Sequence, residues 1–155
     1  TVGSQEKIEI AKKYGCDHVI NYSKEDFAKK VMELTDGKGV SVVYDGVGKS
    51  TYDKSIECLK LRGTMVSFGN ASGALDPIIV SKSLQPKGIY FVRPAMNQYF
   101  TNSEEIHEAA NMLFKQISSG NVKIEIYKKY KLEDAVQAHM DLEGRKITGP
   151  AVIIP

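Results

Sequence analysis

Residues 40–44 read Val-Ser-Val-Val-Tyr, a run that is nearly all apolar. It is too short for a typical helix. A strand that is apolar at successive positions is buried on both faces, as in a parallel sheet covered by helices. The segments around it repeat the same strand–helix grammar. Ser4 predicts a cap for a helix over 5–14, with Ile8, Ile10 and Ala11 on its apolar side and Gly15 as its stop. Residues 18–22 predict a short strand. Ser23-Lys24-Glu25-Asp26 reads as a capping box for a helix that aligns Phe27, Val31 and Leu34 and ends at Gly37. A helix over 51–61 closed by Gly63, a strand over 64–68, a short helix over 77–84 and a strand over 89–92 follow. Ser103 predicts the cap of a long helix carrying Ile106, Ala109, Ala110, Leu113, Phe114 and Ile117, ended by Gly120. Strict alternation of strand and helix predicts a doubly wound parallel α/β sheet with right-handed crossovers.

Beyond Gly120 the grammar changes. Val122, Ile124 and Ile126 alternate with polar residues, which predicts a half-exposed strand. A helix over 133–143 and a strand over 151–154 complete the chain. The change of pattern places an expected boundary near Gly120–Asn121.

Composition narrows the function classes. A length of 155 residues fits about one domain, and a net charge of +2 makes no electrostatic case for nucleic acid or membrane. The two cysteines, Cys16 and Cys58, lack metal-type spacing and are expected as buried thiols in a reducing cytoplasm. His18, His107 and His139 fall on separate elements, so no catalytic triad forms. No apolar run is long enough to cross a bilayer. Thr1-Val2-Gly3-Ser4 reads as the end of a strand entering a helix, without a starting Met, so the chain is expected to be cut from something longer.

In a parallel α/β sheet, ligands bind beyond the C-terminal ends of the strands. Those positions here are Gly3-Ser4, Asn21-Tyr22, Asp45-Gly46-Val47-Gly48, Phe68-Gly69-Asn70 and Arg93-Pro94. Small residues dominate them, and a ligand can approach such a backbone closely. On the pattern alone, a cofactor site and plain tight turns are equally good explanations. Asp45-Gly46-Val47-Gly48 is only GxG after an internal strand, so it is not a pyrophosphate loop. No catalytic acid or base can be named.

Three segments together carry a resemblance. Phe68-Gly69-Asn70-Ala71-Ser72-Gly73, Val43-Tyr44-Asp45-Gly46-Val47-Gly48 and Val92-Arg93-Pro94, with the tail Glu143-Gly144-Arg145-Lys146…Gly149, resemble the zeta-crystallin-like NADPH:quinone oxidoreductases. These form a zinc-independent branch of the medium-chain dehydrogenase/reductase superfamily. The resemblance covers essentially the whole chain. It departs at Gly46, where the family usually has Ser.

The resemblance implies an incomplete Rossmann-like sheet over 1–120, starting at the second strand and lacking the first strand and its Gly-rich loop. It implies that 121–155 is a return segment of the GroES-like catalytic domain. It implies NADP(H) as cofactor, with Gly3, Ser4, Lys7 and Tyr22 around the adenosine ribose and its 2′-phosphate. An NAD site would place an acid at the end of that second strand; Gly3-Ser4 has none. Gly46 and Val47 would pass near the adenine or the pyrophosphate. Phe68, Gly69, Asn70, Ala71 and Ser72, with Phe91, Val92 and Arg93, would line the nicotinamide side. Arg145 would reach the cofactor from the C-terminal segment. The implied reaction is transfer from NADPH to a quinone or enone by a cytoplasmic enzyme, with the isolated chain inactive. The implied partner is a second copy, paired through the edge strand near Ile89–Val92. Two alternatives stay open: a nucleotide- or RNA-binding module, and a structural zeta-crystallin-like protein without reductase activity.

Overall fold

The structure is a computed structural model and describes residues 1–144 and 146–155. It divides into two compact units, Thr1–Tyr99 and Phe100–Pro155.

The first unit is built on a parallel sheet of three strands, β1 (Val40–Asp45), β2 (Leu59–Ser67) and β3 (Tyr90–Val92), in that spatial order. Val43, Met65 and Phe91 are register partners and look toward one face. There the core gathers Met65 and Leu59 with Tyr52, Ile56 and Ile89. Tyr52 and Ile56 come from the short helix α3 (Tyr52–Glu57), whose spacing turns both toward the sheet. A second cluster joins Ile20, Phe27, Ala28 and Cys58. It seats α2 (Phe27–Leu34); α1 (Gln5–Lys13) has no buried residue. Short turns of helix, α4 (Val80–Ser83) and α5 (Met96–Tyr99), flank β3.

The expected parallel α/β order holds, with local corrections. Ser4 is the N-cap residue of α1, but its hydroxyl makes no capping bond. Asp26, not Ser23, caps α2, accepting from the Ala28 and Lys29 amides at 3.0 and 3.3 Å. The Ser23 hydroxyl instead donates to the Gly3 carbonyl at 2.6 Å. Leu34 is 41% exposed, unlike buried Phe27. Residues 18–22 contribute one parallel bridge, Val2 to Asn21, because only Val2 lies beside them before α1 begins.

The helix expected over 51–61 stops at Glu57, and β2 starts at Leu59, well before the expected Thr64. Two contacts impose this. Lys87 Nζ donates to the Glu57 and Leu59 carbonyls at 2.8 and 2.7 Å, ending the helix. Val40 pairs with Leu59, drawing that segment into the sheet; Arg62 at φ +59 lies within this irregular stretch. β1 is not buried on both faces either. Val42 and Tyr44 are 40% and 74% exposed, and Tyr90 is 64% exposed on the same side of the sheet.

The second unit holds α6 (Ser103–Ser118), β4 (Lys128–Lys131), α7 (Ala135–Glu143) and β5 (Ala151–Ile154). Asn102 rather than Ser103 caps α6, accepting from the Glu105 amide at 3.0 Å. The apolar stripe of α6 carries no buried residue. Residues 122–126 form no strand; β4 begins at Lys128 and pairs in parallel with β5. Tyr130 and Ala138 are buried between β4 and α7.

Candidate functional site

The C-terminal ends of β1 and β2 carry the turns 45–48 and 68–73. Asp45 is 4% exposed, and its carboxylate is fully engaged. One oxygen accepts from the Val47 and Gly48 amides at 2.8 and 2.9 Å. The other accepts from the Thr51 and Ser55 hydroxyls, each at 2.8 Å. Burial raises the acid's pKa. The hydrogen bonds from Gly48, Ser55, Thr51 and Val47 outweigh it, so the carboxyl sits below the ordinary value. The turn amides that would otherwise cradle a phosphate are thus turned onto the protein's own anion. This agrees with the sequence reading that Gly46-Val47-Gly48 is not a pyrophosphate loop.

The second turn is bonded to the first. The Phe68 amide donates to the Asp45 carbonyl at 3.0 Å and the Ser72 amide to the Val47 carbonyl at 2.7 Å. Ser72 Oγ also donates to the Val47 carbonyl at 2.8 Å and accepts from the Ser50 amide at 2.9 Å. Glycine is required at the contact. A β-carbon on Gly48 would stand 2.8 Å from the Gly73 carbonyl oxygen, and Gly48 itself has φ +89. A β-carbon on Gly46 would meet the Phe68 ring at 3.0 Å. That ring is exposed and can swing aside, so the contact at Gly46 is a soft one.

Arg93, just after β3, closes the same end of the sheet. It donates to the Ser67 carbonyl. With its amide oriented by its neighbours, Asn70 accepts from Arg93 at 3.1 Å and donates to the Gly69 carbonyl at 2.8 Å. Gly46, Val47, Gly69, Asn70, Ala71, Ser72 and Arg93 are therefore one hydrogen-bonded group. Phe68 is 56% exposed beside it, Phe91 belongs to the core face and Val92 is partly exposed.

Gly3, Ser4, Lys7 and Tyr22 form a second group. The Tyr22 hydroxyl lies over Gly3, so close that a β-carbon there would be 2.8 Å from it. The Tyr22 amide donates to the Val2 carbonyl at 3.1 Å, which fixes the approach. Lys7 lies in the first turns of α1, half-buried, with no ion-pair partner among the described residues. A free lysine, an uncommitted Ser4 hydroxyl and the open amides of a helix start suit an anion. A cleft of about 230 Å³ runs along β1 beside the first group, lined by Phe27, Val42, Tyr44, Gly46 and Val47 and reaching Thr1. The remaining expected contact, Arg145, lies outside the described residues.

Sequence reasoning missed Asp45, Thr51 and Ser55 as a unit. Their signal was there: an Asp at a strand end followed by hydroxyls six and ten residues on, the second one turn along a helix from the first. It also expected two buried thiols, but Cys16 is exposed.

A family profile described as zinc-binding dehydrogenase matches residues 14–153. The chain belongs to that family. It is 44% identical over its whole length to a 2-haloacrylate reductase of a Burkholderia species, covering 47% of that protein. It is equally 44% identical to quinone oxidoreductase 1 of Escherichia coli, covering 48% of it. The crystal structure of an E. coli quinone oxidoreductase complexed with NADPH superposes with a TM-score of 0.94 over 99% of this chain and 48% of that one. The chain thus spans about half the length of the curated relatives it matches, and the likeness to quinone oxidoreductases read from the motifs is borne out. The family description mentions zinc, but the described residues contain no group of three or more His, Cys, Asp or Glu able to hold a metal. No described helix is long and apolar enough to cross a membrane.

Proposed function

We propose that this chain supplies the NADP-selecting edge and the nicotinamide-side wall of an NADPH-dependent quinone reductase acting in the cytoplasm. The observation that carries the reading is the Gly3–Tyr22 contact, with Ser4 and Lys7 left uncommitted beside it. An acid there would hold a ribose 2′-hydroxyl and repel a 2′-phosphate. Lys7 supplies a positive charge, Ser4 a hydroxyl, and Tyr22 a phenol that can donate to a phosphate oxygen.

When bound, NADPH supplies the hydride, and the protein's contribution is placement and shielding. Gly46 and Val47 offer a backbone that a dinucleotide can approach closely. Phe68, Asn70, Ala71, Ser72, Val92 and Arg93 form the wall on the nicotinamide side, with Gly69 and Phe91 holding it from behind. In this reading residues 1–120 serve the cofactor and 121–155 return to the catalytic domain. The free edge of β3, with exposed Tyr90 and Val92, pairs with the same strand of a second copy.

The full-length protein that carries this chain should oxidise NADPH on addition of a simple benzoquinone or an activated enone, and act far more slowly with NADH. NADPH that persists with every quinone and enone supplied contradicts the reading.

A further inference from the structure

The carboxylate of Asp45 stands at the centre of two turns that are otherwise far apart in sequence. It holds the 46–48 turn from within, through the Val47 and Gly48 amides. The same turn offers its carbonyls outward to the other. Gly46 accepts from the Ala71 amide at 3.3 Å, and Val47 accepts twice from Ser72. Asp45 contributes its own carbonyl to the Phe68 and Gly69 amides at 3.0 and 3.3 Å. The Thr51 and Ser55 hydroxyls tie the same carboxylate to α3, which is packed on the core. Ser67 lies opposite Asp45 in register, and its hydroxyl, the buried side-chain polar atom without a partner among those described, makes no competing claim on the carboxylate.

We infer that Asp45 is the positioning residue that locks the 46–48 and 69–73 turns into one rigid wall, with Ser72 as the bolt between them. A buried charge with all its lone pairs engaged transmits its loss to every donor it holds. Removing it frees the first turn's amides, releases the carbonyls aimed at Ala71 and Ser72, and so loosens the second turn without touching it. The inference rests on the proposed function only in making this wall the cofactor's; the locking belongs to the protein alone.

The test is amide hydrogen exchange on the full chain without nucleotide, for wild type, Asp45→Ala, Asp45→Asn and Ser72→Ala. Asp45→Ala should speed exchange about tenfold or more across both 46–48 and 69–73. Asp45→Asn, which keeps an acceptor for the amides while the hydroxyls turn to accept from its NH2 group, should restore most of the protection. Ser72→Ala should speed exchange at 47–50 together with 70–73. Should Asp45→Ala fail to fold, the Ser72→Ala and Asp45→Asn arms decide alone. Acceleration confined to the substituted turn, or an Asn variant as fast as an unlocked loop, overturns the inference. In parallel, NADPH titration should show Asp45→Asn near wild type and Ser72→Ala about tenfold weaker. A wild type with locked turns that binds no NADPH would overturn the proposed function and leave the locking established. A wild type that binds NADPH with independently exchanging turns would overturn the locking alone.

Discussion

The backbone of Gly69 lies directly on that of Gly46: a β-carbon added to Gly69 would stand 2.7 Å from the Gly46 α-carbon. The reverse substitution is different, since a β-carbon on Gly46 meets the Phe68 ring, which is exposed and can swing aside. Gly69→Ala should therefore cost about 2 kcal/mol, and Gly46→Ser within about 0.5 kcal/mol of nothing. Urea unfolding of the two variants checks the contrast. Equal losses would mean that the two turns do not touch as described.

Lys87 ends α3 by donating to the Glu57 and Leu59 carbonyls, and more weakly to that of Ile56 at 3.4 Å. A cation on the last carbonyls of a helix satisfies groups with no partner of their own and complements the helix dipole. Lys87→Met keeps much of the stem and removes the charge. It should lower stability by about 1–2 kcal/mol, read from the thermal midpoint.

Asp141, 8% exposed, accepts from Tyr130 and Gln137 at 2.8 Å each and pairs with Lys128 at 3.3 Å. The bonds from Tyr130 and Gln137 outweigh burial and, with Lys128, hold its carboxyl down at about 2. The folded value lies below the unfolded one. The contribution is thus complete above about pH 4 and is lost as pH falls toward 2. Acid titration by circular dichroism should show β4 and α7 loosening in that window. Tyr130→Phe should move the transition to higher pH.

The two thiols should separate cleanly. Cys16 is exposed, whereas Cys58 is 3% exposed and burial pushes its thiol up to about 11. At neutral pH a disulfide reagent should titrate one thiol per native chain and two in denaturant, since only an accessible thiolate reacts. Two fast thiols in the native chain would contradict the packing of Cys58 against Phe27 and Ala28.

What the sequence disclosed and what it withheld have physical reasons. The runs and spacing of apolar residues located β1, β3, β5, α6 and α7, although the stripe of α6 carries no buried residue. The sequence misplaced the start of β2, since Leu59 joins the sheet through pairing with Val40, a long-range contact that no local window contains. It put caps on Ser23 and Ser103, where the better-placed acceptors are Asp26, three residues on, and Asn102, one residue before. Local composition cannot distinguish between neighbouring capping residues. At the site, glycines and motif spacing picked out both turns and the Gly3 edge. The Asp45 lock left only the spacing of its hydroxyls at 51 and 55 as a mark, because an aspartate at a strand end has the same local signature whether it faces solvent or its own turn.

The most direct measurement is calorimetric titration of the protein with NADPH and with NADH, for wild type and Lys7→Ala. NADPH should bind at least about tenfold tighter than NADH, and Lys7→Ala should erase most of that preference while leaving NADH binding unchanged. Equal affinities for the two cofactors, or an NADPH affinity indifferent to Lys7→Ala, would contradict the assignment of Gly3, Ser4, Lys7 and Tyr22 to the 2′-phosphate.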